Sequence, residues 1–251
     1  MKAHALVTGA ASGIGRATAT LLAERGAAVA CVDIDAAGLA ETVDAIAATG
    51  GRAMPLTADV TDLAAVEAAV ASAVAELGGV DAVANIAGVG DFTGDVTEIA
   101  LDEWARVLAV NLTGAFHISR ATIPHLRAAG GGAIVNVASQ FGLVGCLASP
   151  AYCASKAGLI GLTRAMAIDH TSEGIRVNCV CPGPIDTPML AWTAATPELT
   201  ARERARTQGR NLAGRSGRPE EIAATIAFLL SDEVGFMSGS IVPVDGGWTA
   251  G

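Results

Sequence analysis

Seven short runs of small and β-branched apolar residues recur along the chain, and an alanine-rich stretch of helical period follows most of them. That alternation permits few folds. A strand apolar at successive positions is covered on both faces, and parallel neighbours need a crossover between them. The pattern therefore predicts an α/β fold: one doubly wound parallel sheet of about seven strands with helices on both faces. Strands are expected near 3–8, 28–33, 53–58, 80–85, 132–138, 175–180 and 240–244, and helices near 13–25, 36–49, 62–77, 102–128, 151–172 and 219–231. At 251 residues, with no linker-like stretch, the chain reads as a single domain over 1–251. Right-handed crossovers bring the carboxyl ends of the first, second, fourth and fifth strands to one edge, where ligands bind in such sheets.

The first of those ends carries Thr8-Gly9-Ala10-Ala11-Ser12-Gly13-Ile14-Gly15, a strand, a glycine turn and a helix start. Such a turn presents backbone N–H groups and a helix N-terminus to a pyrophosphate. Gly9 permits the sharp turn, Gly13 lets backbone approach phosphate, and Gly15 lets the helix pack close to the sheet, as in a Rossmann-type dinucleotide site. The second strand ends at Asp33, about 20 residues on, where an acid would grip a ribose diol. Capping of the next helix is the alternative role for that acid.

A second motif lies far downstream. Tyr152, the one tyrosine in the sequence, stands four residues before Lys156, with Ser139 thirteen residues upstream behind an apolar run. Positions i and i+4 share a helix face, so an ammonium can lie beside the phenol. A phenol acts as a base near neutral pH only if its pKa falls from about 10, and a nearby cation is a direct way to lower it. Taken alone, Tyr-x-x-x-Lys also occurs on ordinary amphipathic helices.

Taken in order and spacing, Thr8-Gly9-x-x-x-Gly13-x-Gly15, Asn85-Ile86-Ala87-Gly88, Asn111, Ser139, Tyr152-x-x-x-Lys156, Pro182-Gly183 and Val244-Asp245-Gly246-Gly247 resemble the short-chain dehydrogenase/reductases over essentially the whole chain. One position departs: the family's usual Asn-Asn-Ala-Gly has Ile86 second. The resemblance implies hydride transfer between a nicotinamide dinucleotide and a secondary alcohol or ketone. Tyr152 would be general base and acid, and Ser139 would stabilise the substrate oxygen. Lys156 would lower the tyrosine pKa and hold the nicotinamide ribose. Asn111 would distort its helix and anchor a water that relays protons; facing solvent at a helix break is its other reading. A homotetramer is also implied, with a homodimer as the smaller possibility. It would pair the helices at 102–128, with Trp104, Leu108, Leu112, Phe116 and Ile118, and at 151–172, with the small residues Ala154, Ala157, Gly158, Gly161 and Ala165; burial within one subunit is the alternative.

The expected cofactor is NAD. The 2'-phosphate of the phosphorylated dinucleotide needs a cation, whereas Asp33 repels it and the slot before Gly13 holds Ser12. Arg16 is the nearby cation and is expected on the helix surface. Besides the glycines, Ser12 and Ile14, the cofactor should meet Asp33 and Ile34, Asp59 and Val60 beside the adenine, and Asn85, Ala87 and Gly88 beside the adenosine ribose. Tyr152, Lys156, Pro182, Gly183, Ile185 and Thr187 should surround the nicotinamide end.

The segment 184–217 is the expected substrate lid. With Gln140, Phe141, Val144, Cys146, Met189 and Trp192 it suggests a mainly apolar pocket for a small aliphatic or alicyclic alcohol or ketone. Arg202, Arg204, Arg206, Arg210, Arg215 and Arg218 either meet an anionic substrate group or form a solvated helix face.

Net charge −9 disfavours nucleic acid and anionic membrane surfaces. The 51% hydrophobic content raises the question of a membrane span, yet every apolar run is broken well short of about 18 residues. No secretory signal is read, so cytoplasm is expected. Five cysteines, an odd number in apolar surroundings, read as reduced core residues, with Cys153 expected off the catalytic face; no metal site is expected, and the scattered histidines carry no assigned chemistry. Two alternatives stand beside the alcohol dehydrogenase: a 3-oxoacyl thioester reductase acting on an acyl-carrier protein, which Ser12 and Asp33 disfavour, and a non-catalytic dinucleotide sensor, which would not need Tyr152 and Lys156.

Overall fold

The computed structural model describes residues 3–91, 94–193 and 211–250. Seven parallel strands form one sheet: β1 (His4–Thr8), β2 (Ala28–Asp33), β3 (Arg52–Thr57), β4 (Ala82–Asn85), β5 (Gly132–Val137), β6 (Ile175–Pro182) and β7 (Ile241–Val244), in the order β3-β2-β1-β4-β5-β6-β7. The order reverses between β1 and β4, which makes the cleft above their carboxyl ends the natural ligand site. Pro182 closes β6 at its last residue, whereas Pro55 in β3 and Pro243 in β7 lie in strand interiors, and both of those strands are edges. An edge strand tolerates the missing N–H; a central one would not.

The helices are α1 (Gly13–Glu24), α2 (Ala36–Ala48), α3 (Leu63–Leu77), α4 (Leu101–Leu108), α5 (Gly114–Ala128), α6 (Pro150–His170), α7 (Pro188–Thr193) and α8 (Pro219–Leu230). Period-two alternation in the strands divides the core. Val7, Val29 and Cys31 face Leu22 of α1, Leu39 and Ile46 of α2, and Ile222 and Ile226 of α8. Leu6, Ala30 and Val32 face Val66 and Val70 of α3, Ile118 and Leu126 of α5, and Met166 of α6. Each fully buried leucine or isoleucine contributes roughly 1.5–3 kcal/mol, so both layers are needed. Asp35 and Asp62 start α2 and α3 by accepting amide bonds from Ala37 and Gly38, and from Ala64 and Ala65.

One expected helix is interrupted. Within 102–128, residues Ala109–Thr113 form a π-helical turn between α4 and α5, and Asn111 lies inside it. No helix among the described residues is long and apolar enough to cross a membrane.

Candidate active site

The glycine turn is shaped by backbone contacts that exclude side chains. Gly9 has φ +68°, and a Cβ there would stand 2.9 Å from the Ala87 amide nitrogen; a Cβ at Gly15 would run into the Gly9 carbonyl. Thr8 ties this turn to the end of β4, its hydroxyl accepting the amides of Ile86 at 2.9 Å and Ala87 at 3.1 Å. Asp33 locks the other side, accepting the Ala11 amide at 3.0 Å through Oδ2 and the Asp35 amide at 3.1 Å through Oδ1. Asp33 therefore orders the turn directly, while Asp35 performs the helix capping. The Arg16 guanidinium donates to Glu41 at 2.8 Å and to the carbonyls of Ala11, in the turn, and Gly38. Ser12 and Ile34 are exposed beside the turn.

The catalytic candidates converge where β5 meets α6. Tyr152 is buried, at 8% exposure, and its phenol hydrogen-bonds the Ser139 hydroxyl. Ser139 also accepts the Phe141 amide at 3.1 Å, which opens the short 3-10 turn Gln140–Gly142. Lys156, at 4% exposure, donates to the Val137 carbonyl at 2.9 Å and lies 5.6 Å from the Tyr152 ring centroid. Asn111 accepts the Val89 amide at 2.8 Å, donates to the Val89 carbonyl at 2.9 Å, and reaches Ser155 of α6 at 3.0 Å. A Cβ at Gly88 would meet both Asn111 Oδ1 and Lys156 Nζ, at 3.2 and 3.3 Å, so glycine is what lets these two polar groups approach one spot.

Burial dominates the titration of the pair. It pushes the Tyr152 phenol up to about 12, against the lowering effect of the Ser139 hydrogen bond, and it pulls Lys156 down to about 8. In the chain without its dinucleotide, desolvation of the phenolate therefore dominates. Cys146, and Cys153 from a position expected off the catalytic face, also bear electrostatically on the phenol and raise it.

A family profile described as Enoyl-(Acyl carrier protein) reductase matches residues 9–249. Among curated relatives, cis-4-hydroxycyclohexanecarboxylate dehydrogenase of Sinomonas cyclohexanicum is 46% identical over 246 residues, covering 98% of this chain and 96% of that protein. Cyclohexanol dehydrogenase of Acinetobacter sp. (strain SE19) is 41% identical, with 98% and 94% covered. The crystal structure of levodione reductase superposes with a TM-score of 0.93 at 36% identity, covering 99% of this chain and 98% of that one. The chain belongs to the short-chain dehydrogenase/reductases. This is a family of nicotinamide-dinucleotide oxidoreductases, and the glycine turn fits such a group: its backbone is packed too closely at Gly9 and Gly15 for any side chain, and Asp33 stands beside it.

Within this dehydrogenase frame, several expected residues also serve the fold. The Asn85 side chain turns inward, donating to Asn136 at 2.8 Å and Ser119 at 3.1 Å; Asn136 continues to Thr163 of α6 at 2.9 Å. A buried polar chain thus joins β4, β5, α5 and α6, while Asn85 Oδ1 has no hydrogen-bond partner among the described residues. The departure at Ile86 has a structural reason, since that side chain packs against the core. Asp59 is committed to Thr61, amide and hydroxyl both at 2.8 Å, and Val60 is buried with its carbonyl 3.0 Å from His117 Nδ1. Gln140, in the turn that Ser139 opens, is only 2% exposed, and its Oε1 has no hydrogen-bond partner among the described residues.

Pro182 ends β6, and Gly183 abuts the Asp245 backbone so closely that a Cβ would meet its Cα at 2.7 Å. Thr187 lies over Gly13, its Cγ2 3.1 Å from where a Cβ would be. The ends of the expected lid are clasped: Ile185 bridges Gly217, with Gly217 N to Pro184 O and Asp186 N to Gly217 O both 2.9 Å. A cavity of about 140 Å³ lies at this base, lined by Ile185, Arg215 and Asp245 among others, and it includes neither Ser139 nor Tyr152. Arg215 pairs with Glu221 of α8 at 2.6 and 2.8 Å and holds that carboxylate down at about 2; Arg218 is exposed nearby. These two arginines therefore fit the surface reading. Arg202, Arg204, Arg206 and Arg210 lie outside the described residues, as does the side chain of Trp192; Met189 is in α7 and Val144 is half-buried.

Sequence reasoning missed Trp248. It packs edge-on against Phe141, ring centroids 6.3 Å apart at 88°, and brings the C-terminal segment against the residues after Ser139. It also missed Asp91, whose carboxylate is buried at the start of α6.

Proposed function

We propose that this chain is an NAD-dependent secondary-alcohol dehydrogenase or ketone reductase acting on small aliphatic or alicyclic substrates. The observation that carries the reading is the buried Tyr152 phenol, hydrogen-bonded to Ser139 and flanked by Lys156. Tyr152 Oη takes the hydroxyl proton of the alcohol during oxidation and returns it to the ketone oxygen during reduction. Ser139 Oγ, already turned to the phenol, donates to the same oxygen as negative charge develops. When bound, the dinucleotide supplies the hydride acceptor and, oxidised, a positive charge that favours phenolate. Lys156 would hold the nicotinamide ribose through Nζ and keep that charge beside the phenol. Asn111 has its side-chain amide committed to Val89 and Ser155, so a proton-relay water falls to its main-chain carbonyl, which the π turn removes from the regular helical ladder.

The choice of NAD rests on Asp33. A 2'-phosphate placed at the β2 end would meet its carboxylate, while Arg16 is already engaged by Glu41. The relatives named for cyclohexanol and 4-hydroxycyclohexanecarboxylate support an alicyclic alcohol. A homotetramer is supported by Trp104 and Phe116, both exposed in the single chain, and by the exposed row Ala154, Ala157, Gly161 and Ala165 on α6, where a second helix can approach closely.

A panel of secondary alcohols tests the assignment. Cyclohexanol and short-chain alcohols should reduce NAD at least about tenfold faster than its phosphorylated counterpart at equal concentration. Preference for the phosphorylated cofactor together with turnover of 3-oxoacyl thioesters would move the chain to the thioester-reductase branch.

A further inference from the structure

Tyr152 lies in the first turn of α6, and the start of that helix is held in an unusual way. Ser149, the residue before Pro150, provides no side-chain cap, although its hydroxyl is buried and has no hydrogen-bond partner among the described residues. Just before it, Ala148 has φ +54°, a region that a residue with a Cβ rarely adopts. The cap comes from sixty residues earlier. Asp91, in the loop after β4, accepts the Ala151 amide at 2.8 Å and is fully buried. Its Oδ1 has no hydrogen-bond partner among the described residues. Asparagine or serine caps a helix as well as aspartate does and leaves no charge out of water. A buried carboxylate at this place therefore needs a reason beyond capping.

We propose that Asp91 is a positioning residue for the reaction: it fixes the first turn of α6, and its negative charge sets the basicity of the Tyr152 phenol. This rests on the reading of Tyr152 as the proton-exchanging group. The charge of Asp91 reaches the phenol and raises its pKa, in the same direction as Cys146 and Cys153 and against the Ser139 hydrogen bond; Lys156 lies beside the ring. Around Asp91 itself, α4 contributes Glu103, which repels it, and Arg106, whose guanidinium binds Glu103 and the Gly90 carbonyl and feels both carboxylates. Burial raises the Asp91 pKa, and the amides of Ala151 and Tyr152 counter it. A negative charge near a phenol disfavours phenolate, so Asp91 moves upward the pH at which the base forms and limits proton transfer to it below that pH.

Asp91→Asn isolates the charge, because the amide keeps a carbonyl for Ala151 and places its NH2 where Oδ1 is unbonded. The measurement is kcat/KM for oxidation of the best alcohol of the panel against pH, with NAD affinity by fluorescence titration and melting temperature recorded alongside. The acid limb should move to lower pH by several tenths of a unit while NAD affinity stays within about twofold. Arg106→Gln removes the cation that offsets Asp91 and Glu103, and should move the limb to higher pH. A limb unmoved in both variants, with only the melting temperature lowered, overturns the proposal and leaves Asp91 a cap. If Asp91→Asn does not fold, Arg106→Gln decides alone, and no upward movement overturns it. Tyr152→Phe separates the two levels. Retained turnover there removes the underlying reading, whereas an inactive Tyr152→Phe with an unmoved limb removes only the role of Asp91.

Discussion

The glycine turn and the Tyr152–Lys156 pair lie on the same edge of one sheet and are built on opposite physical plans. Around the turn, Asp33, Thr8 and the close approach at Gly9 and Gly15 satisfy backbone amides with short bonds, and little is left to rearrange. At the pair, two ionisable side chains are almost wholly buried and both are driven toward their neutral forms. The first region is a finished mould. The second holds unfavourable protonation energetics that a bound partner can relieve, which is how a site is tuned to perform proton transfer.

That contrast can be broken most directly at the phenol. Tyr152→Phe should lower kcat by about 10²–10⁴-fold while NAD binding, followed by fluorescence titration, stays nearly unchanged; activity within tenfold of the parent would mean that another group moves the proton. The next largest effect is on stability. Lys156 has its pKa lowered from 10.5 to about 8, so the unfolded chain binds the proton more strongly and the parent protein should gain stability as pH rises through that window. Lys156→Met lacks this slope and should be more stable than the parent by about 1–3 kcal/mol near pH 7, the gap narrowing toward pH 10 in urea melts. An equal gap at both pH values would show that the ammonium is not strained by burial. Smallest of the three, Asp33→Ala should raise KM for NAD about tenfold, near 1.4 kcal/mol, and shrink the discrimination against the phosphorylated form. No change in either would reduce Asp33 to a brace for the turn.

Much of this was legible in the sequence because it depends on local spacing. Strand and helix periods placed every strand to within two residues at each end, and the glycines and Asp33 marked the turn. The apolar pattern of 102–128 runs straight through the π turn, so the distortion there was expected only from the family resemblance at Asn111, a polar residue in mid-helix. The sign of the Tyr152 shift was also hidden. An i,i+4 lysine is visible in sequence, but how completely β5 and α6 exclude water from it is a tertiary fact. Asp91 and Trp248 belong to the same class, since an acid in a polar loop and an aromatic near the C-terminus gain meaning only from what lies across the fold. At Asn85 the strand-end position was legible, but not that its side-chain nitrogen donates to Asn136 and Ser119, contacts made across the fold.

The stitch between Ile185 and Gly217 has an evolutionary corollary. The chain leaves and re-enters the body of the protein at neighbouring points, and the returning residues Asn211, Leu212 and Ala213 rest on Gly246 and Gly247 after β7. Thr187 falls inside that stretch and lies over Gly13, so a transplant cut at Ile185 and Gly217 carries one contact to the glycine turn with it.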